Sequence, residues 1–115
     1  MRLVFSAVFE QDFEEMITRF AAEASTEVAR RFEHSTYKLI ETLLQHPKMG
    51  RMRTDLIPDG IRSFRVPGFD RYLLFYQMRG NDLVLLRLSR HHFWPYLFIS
   101  HFPAASSPNT LQRSL

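Results

Sequence analysis

The sequence predicts an α+β domain, and three features carry that prediction: a short alternating stretch at the N-terminus, two consecutive amphipathic helical stripes, and three apolar runs separated by tight-turn residues between Gly60 and His92. The expected architecture is an N-terminal strand, an α-helical hairpin, then a three-stranded antiparallel meander forming a small sheet. Residues 1–102 are read as a single domain. Residues 103–115 are rich in Ser and Pro and are expected to form a flexible tail.

Each element has a local cause. In residues 2–6, Leu3 and Phe5 alternate with Arg2 and Val4, and Ser6 is placed to cap a helix. Phe9, Phe13, Met16, Ile17 and Phe20 then form one apolar stripe at helical spacing, with Glu10, Glu14 and Glu15 off it and the early acids well placed against the helix dipole. Ala24-Ser25-Thr26 interrupts the pattern, and Ser25 or Thr26 can cap a second helix whose stripe is Val28, Phe32, Thr36, Leu39 or Ile40, and Leu43. His46-Pro47 ends it, because the residue before proline avoids the α region. Residues 48–59, with Gly50 and Pro58 as breakers, are expected to form a surface loop.

The meander follows as strands over 61–66, 71–78 and 83–89, joined by turns at Pro67-Gly68-Phe69-Asp70 and Gly80-Asn81. Tyr72 to Tyr76 is apolar on both faces, so the middle strand is expected to be covered on both sides. Arg62 shares a face with Phe64 and Val66, and Arg87 with Leu83 and Leu85. An arginine in an apolar row needs a partner, which points to a groove on the face away from the helices.

Bulk properties narrow the function classes. A chain of 115 residues is enough for one self-sufficient core, and 11 Phe make phenylalanine its favoured filler. With no cysteine there are no disulfides, thiolate nucleophiles or Cys-ligated zinc, which suits a cytoplasmic setting. No signal peptide or membrane span is expected, since Glu10, Gln11 and Asp12 end the first apolar run and residues 93–102 are too short to cross a bilayer. His34, His46, His91, His92 and His101 lack ligand spacing, so no metal is expected, and no cofactor either.

The net charge of +3 is unevenly distributed. Residues 9–24 carry Glu10, Asp12, Glu14, Glu15 and Glu23 against Arg19, whereas residues 48–90 carry nine bases against Asp55, Asp59, Asp70 and Asp82. The basic half predicts an anionic partner, either a nucleic acid or an acidic protein segment.

Five local patterns occur in a telling order: Phe5-Ser6-Ala7 running into an acidic helix; the stretch from Leu43 through Gln45-His46-Pro47-Lys48 to Arg51; Gly60-Ile61-Arg62-Ser63-Phe64-Arg65-Val66; Tyr72-Leu73-Leu74-Phe75-Tyr76; and Leu85-Leu86-Arg87-Leu88. Together they resemble the RelE/ParE family of toxins from type II toxin–antitoxin modules, over residues 1 to about 90. The resemblance implies a helical hairpin packed on a small, mainly antiparallel sheet. It also implies a cognate antitoxin that wraps the toxin, with operator DNA engaged only indirectly through that antitoxin. ParE-like members inhibit DNA gyrase; RelE-like members cut messenger RNA on the ribosome.

The ParE-like reading is preferred because that subgroup best matches the Gly60 to Tyr76 stretch and no convincing proton-transfer pair is visible. In the interferase alternative, Arg62 and Arg87 would stabilise transition-state charge, and His91, His92 or Tyr96 would move protons, because arginine stays protonated and cannot serve as base. Lys48, Arg51, Arg53, Arg65 and Arg90 are the candidate contacts to target or nucleic acid in either case. An inactive homologue that only binds antitoxin is the third alternative. The sequence departs from the family after the last strand: members commonly continue to His-Gly-x-Arg-Asp, whereas here Arg90-His91-His92 leads into Phe93-Trp94-Pro95. Either a diverged C-terminus covers the groove, or the end is frameshifted.

Overall fold

The computed structural model describes residues 1–90 and the backbone of residues 111–113. The elements in order are β1 (Arg2–Phe5), α1 (Ala7–Glu23), α2 (Thr26–Gln45), β2 (Arg51–Met52), β3 (Ile61–Val66), β4 (Phe69–Arg79), β5 (Asp82–Arg90) and β6 (Leu111–Arg113). They form one sheet of order β2-β3-β4-β5-β1-β6 with the helical hairpin on one face. The α+β class, the hairpin and the meander are therefore as expected, but the described residues form six strands where four were predicted.

Local chemistry accounts for the helix limits. The Ser6 hydroxyl accepts from the Phe9 amide at 3.0 Å, and the Ser25 hydroxyl accepts from the Val28 amide at 3.1 Å, so both predicted caps operate. The amide of His46 still donates to the Thr42 carbonyl at 2.8 Å before Pro47 stops the helix. Between the helices and the sheet lies the main core, in which Phe9, Phe32, Ile40, Leu43, Leu74, Tyr76, Leu83 and Leu85 are fully enclosed. Phe64 packs against this core, which places it on the helix side of β3.

Two differences from expectation have clear physical causes. The predicted turn 67–70 shrinks to Pro67-Gly68, because Gly68 adopts φ +83 and lets β4 begin at Phe69. The predicted surface loop 48–59 is partly interior: it supplies β2, buries Leu56 against Ile61, Leu73, Phe75, Val84 and Leu86 on the far face of the sheet, and encloses Arg53. An exposed loop would have left that second apolar cluster in water.

Strand β1 runs parallel to β5, with Phe5 opposite Leu85, and inserts between β5 and β6. Three residues of the expected tail thus pair with the edge of β1, where Phe5 is opposite Leu111. A free strand edge has unpaired backbone groups, and β6 supplies partners for them. The expected domain limit at 102 falls outside the described residues.

Candidate interaction surface

The geometry of the predicted site follows from a bulge in β5. Tyr76 pairs with Leu85 but Phe75 pairs with Arg87, so Leu86 is an extra residue without an opposite number. Alternation restarts there, and Leu88 rejoins Leu83 and Leu85 in the helix-side core. The backbone groups around the bulge are met by α1 and its cap. The Ser6 hydroxyl donates to the Leu86 carbonyl at 3.1 Å, and the Leu88 amide donates to an Asp12 carboxylate oxygen at 3.1 Å.

Arg87 completes this arrangement. Its Nε donates to Asp12 Oδ2 at 2.8 Å and its Nη2 to Asp12 Oδ1 at 3.0 Å, a two-point contact with side chains only 17% and 11% exposed. Burial pushes the Asp12 carboxyl above the usual carboxylate range, although hydrogen bonding and charge from Arg87 pull the other way. Arg87, opposite Phe75 in the ladder, thus has its guanidinium tied to Asp12 of α1, and is not an open charge of a groove on the far face. Sequence reasoning treated Asp12 only as a helix-dipole acid. Its position three residues after Phe9 and four before Met16, on the flank of the apolar stripe, was the available signal that it needed a cation.

Arg62 is on the helix side of the sheet, opposite Tyr76. Its Nη1 donates to the carbonyls of Lys48 at 3.1 Å and Gly50 at 2.8 Å, while Tyr76 donates from its hydroxyl to the Pro47 carbonyl at 2.8 Å and accepts from the Gly50 amide at 2.9 Å. These two side chains staple residues 47–50 to the sheet. Burial raises the Tyr76 hydroxyl pKa above its ordinary value, with the Gly50 amide and the Arg62 charge opposing, so the phenol stays protonated at neutral pH. Tyr76 was read as core alone, and nothing in its local sequence signals that its hydroxyl holds a loop.

The far face holds the groove that was expected, but with different arginines. Arg51, Arg53, Ser63 and Arg65 line a cleft of about 800 Å³ together with Met49, Leu73 and Asp70. Arg53, expected to be a contact to target or nucleic acid, is only 6% exposed. It binds the Asp55 carboxylate through Nε at 3.1 Å and Nη2 at 2.9 Å, donates to the Ser63 hydroxyl at 3.2 Å, and lies over the Phe75 ring at 5.5 Å. The hydrogen bond from Arg53 holds the Asp55 carboxyl below its usual range. Arg53 is thus a wall of the cleft, and the exposed guanidinium groups of Arg51 and Arg65 are its open charges.

The remaining candidates are scattered. Lys48 is exposed on the stapled loop. Arg90 is half-buried beside Met16, Phe20, Glu23 and Tyr72, away from the cleft. His91, His92 and Tyr96 lie outside the described residues. The structure consequently brings together Arg51, Arg53 and Arg65, sets Lys48 near them, and separates Arg62, Arg87 and Arg90 from them. Among the described residues no cluster of three or more His, Cys, Asp or Glu could hold a metal ion, and no helix is long and apolar enough to cross a membrane. The cleft as described can bind anions and apolar groups.

Comparison with known proteins agrees with this fold. Residues 3–93 match the family described as the ParE toxin of the type II toxin–antitoxin system parDE. Among solved structures, the chromosomal ParDE toxin–antitoxin system from P. aeruginosa superposes with a TM-score of 0.67 at 18% identity, covering 78% of this chain and 95% of that one. At that identity the likeness shows the fold alone. No match is found among curated proteins.

Proposed function

The chain belongs to the ParE toxin family of type II toxin–antitoxin systems, and from that premise we propose that it is a cytoplasmic, ParE-like toxin that inhibits DNA gyrase and is neutralised by a cognate antitoxin. Operator DNA enters this reading only through the antitoxin. The observation that carries the choice of target is the employment of Arg62 and Arg87. An interferase would aim both at a transferring phosphate, whereas here one is tied to the 47–50 loop and the other to Asp12. What the cleft offers is a binding surface of cations and apolar walls, suited to a protein target.

Induction in a bacterial host, with separate readouts of DNA replication and protein synthesis, tests the proposal. Early arrest of replication is expected, together with loss of gyrase supercoiling when purified protein is added, and relief of both on co-expression of the antitoxin. Early arrest of translation with cuts in ribosome-bound messenger RNA would assign the protein to the interferase class instead. Harmless accumulation of folded protein would leave only the antitoxin-binding homologue.

A further inference from the structure

Arg90 ends β5 opposite Tyr72, whose ring packs against the helix-side core, so its side chain lies on that face of the sheet and away from the basic cleft. Its Nε is enclosed and has no hydrogen-bond partner among the described residues. The Nε of Arg62 is also unbonded there, but Arg62 Nη1 holds two carbonyls, whereas the Arg90 guanidinium makes no hydrogen bond or ion pair among the described residues. Arg2, Arg53 and Arg87 show what that edge of a guanidinium does elsewhere in this protein. Each grips one carboxylate with Nε and Nη2 together, at 2.8–3.1 Å, the acids being Asp82, Asp55 and Asp12. No side chain further along can do the same for Arg90, since residues 91–115 contain neither Asp nor Glu.

The surroundings of Arg90 favour one kind of acceptor. A hollow of about 220 Å³ joins it to Arg19, Glu23 and the side chains of Met16, Phe20 and Tyr72. The Phe20 and Tyr72 rings stand 5.3 Å apart between centroids, and Phe20 also meets Phe69 edge-on at 5.6 Å, so this wall is fixed aromatic surface. Two guanidinium groups against one carboxylate leave the lining net positive. An apolar cavity of about 150 Å³ holds a benzene ring, so the hollow has room for one ring and a carboxylate but none for a length of polypeptide. Enclosing a guanidinium edge without an acceptor costs free energy that a carboxylate would recover.

We propose that this hollow binds a small aromatic monocarboxylate, its ring against Met16, Phe20 and Tyr72 and its carboxylate accepting from Nε and Nη2 of Arg90. Arg19 adds a second positive charge to the lining, and Glu23 limits the charge that the hollow accepts. Inorganic phosphate fits less well, because it has no apolar body for the aromatic wall and its second charge meets Glu23. The site is on the opposite side of the sheet from the basic cleft and stands whether or not the chain inhibits gyrase.

Titration of the whole chain with 3-phenylpropanoate, followed by NMR and calorimetry, tests the proposal, with 3-phenylpropanamide, acetate and inorganic phosphate as controls. The carboxylate should bind with a Kd of about 0.1–10 mM, the range open to a ligand of one ring, and each control should bind about tenfold more weakly or worse. Nuclear Overhauser contacts should run from its ring protons to Met16, Phe20 and Tyr72. Arg90→Gln should weaken binding about tenfold or more, and Arg90→Lys should not restore it, because an ammonium group cannot present the side-on pair of N–H donors. Should Arg90→Gln fail to fold, the ring contacts in the unaltered chain decide: contacts to Phe20 and Tyr72 support the site, and contacts elsewhere refute it. Equal binding of the amide, tighter binding of phosphate, unaltered affinity of a folded Arg90→Gln, or no binding of 3-phenylpropanoate would each overturn the inference.

Discussion

Replacing Asp12 by Ala should be among the most damaging single changes in α1, although the residue touches no apolar core. The substitution takes the two-point carboxylate contact away from the Arg87 guanidinium, whose side chain is 17% exposed, and deprives the Leu88 amide of its acceptor at the β5 bulge. Breaking one side of a buried ion pair costs about 3–5 kcal/mol, and the slight exposure of this pair argues for the lower part of that range, about 3–4 kcal/mol. With an unfolding entropy of about 2.1 cal/mol/K per residue, a chain of this length loses about 12–17 °C in Tm. Urea unfolding and thermal melts followed by circular dichroism measure both quantities. The double variant Asp12→Leu with Arg87→Met removes the desolvated charges together and should recover most of the loss, to within about 1–2 kcal/mol of the parent, the residue being the unpaired Leu88 amide. A cost below about 1 kcal/mol for Asp12→Ala would refute the claim that the pair anchors α1 to the bulge. A double variant as unstable as the single one would refute the claim that the lost carboxylate–guanidinium contact is the cause.

Other outcomes follow from the same contacts. Tyr76→Phe leaves the Gly50 amide and Pro47 carbonyl without the hydroxyl and should cost about 1–3 kcal/mol in urea unfolding, with faster amide exchange at Gly50. Gly50→Ala would place a Cβ 2.5 Å from the Tyr76 hydroxyl oxygen, on a ring held by core packing, and should lower the thermal midpoint measurably through overpacking. The pH dependence has a defined sign. Because burial raises the Asp12 carboxyl in the folded state, its contribution favours folding most at pH below the unfolded value of about 3.9 and is lost as pH rises through the folded value. Asp55 acts oppositely: held low by Arg53, it contributes above the unfolded value and that contribution is lost as pH falls through the folded one. Stability against pH for Asp12→Asn and Asp55→Asn, each compared with the parent, separates the two.

Much of the fold was legible because its signals are local. The Phe9–Phe13–Phe20 and Phe32–Leu39–Leu43 stripes, the two serine caps and the Gly80 turn each act within a few residues, and each reappears in the structure. The bulge was not legible, because no Gly or Pro marks Leu86, and the groups that meet its backbone are distant in sequence: Ser6 is 80 positions from Leu86 and Asp12 is 76 from Leu88. That single extra residue reset the faces of β5. Arg62 and Arg87 were rightly singled out as arginines that needed partners, but the partners were a carboxylate and two carbonyls of this chain, so the open charges of the cleft fell to Arg51 and Arg65. The burial of Arg53 depends on Asp55, Ser63 and Phe75 converging in space, and only Asp55 is near it in sequence.

The placement of β5 also sets an order of assembly. β5 lies between β4 and β1, yet β1 is made first and its parallel partner 80 residues later. Closing so long a loop carries a larger entropic cost than forming the helical hairpin or the β3–β4 and β4–β5 hairpins, so β1 docks after those local pieces are in place. During synthesis the N-terminal strand therefore waits for nearly the whole described chain to emerge, with Leu3 and Phe5 uncovered meanwhile. Pulsed hydrogen exchange should protect β4 amides before those of β1. The basic cleft, built from β3, β4 and the segment just before them, would be complete while the sheet's other edge is still open, giving a partner a folded surface to meet before the domain has closed.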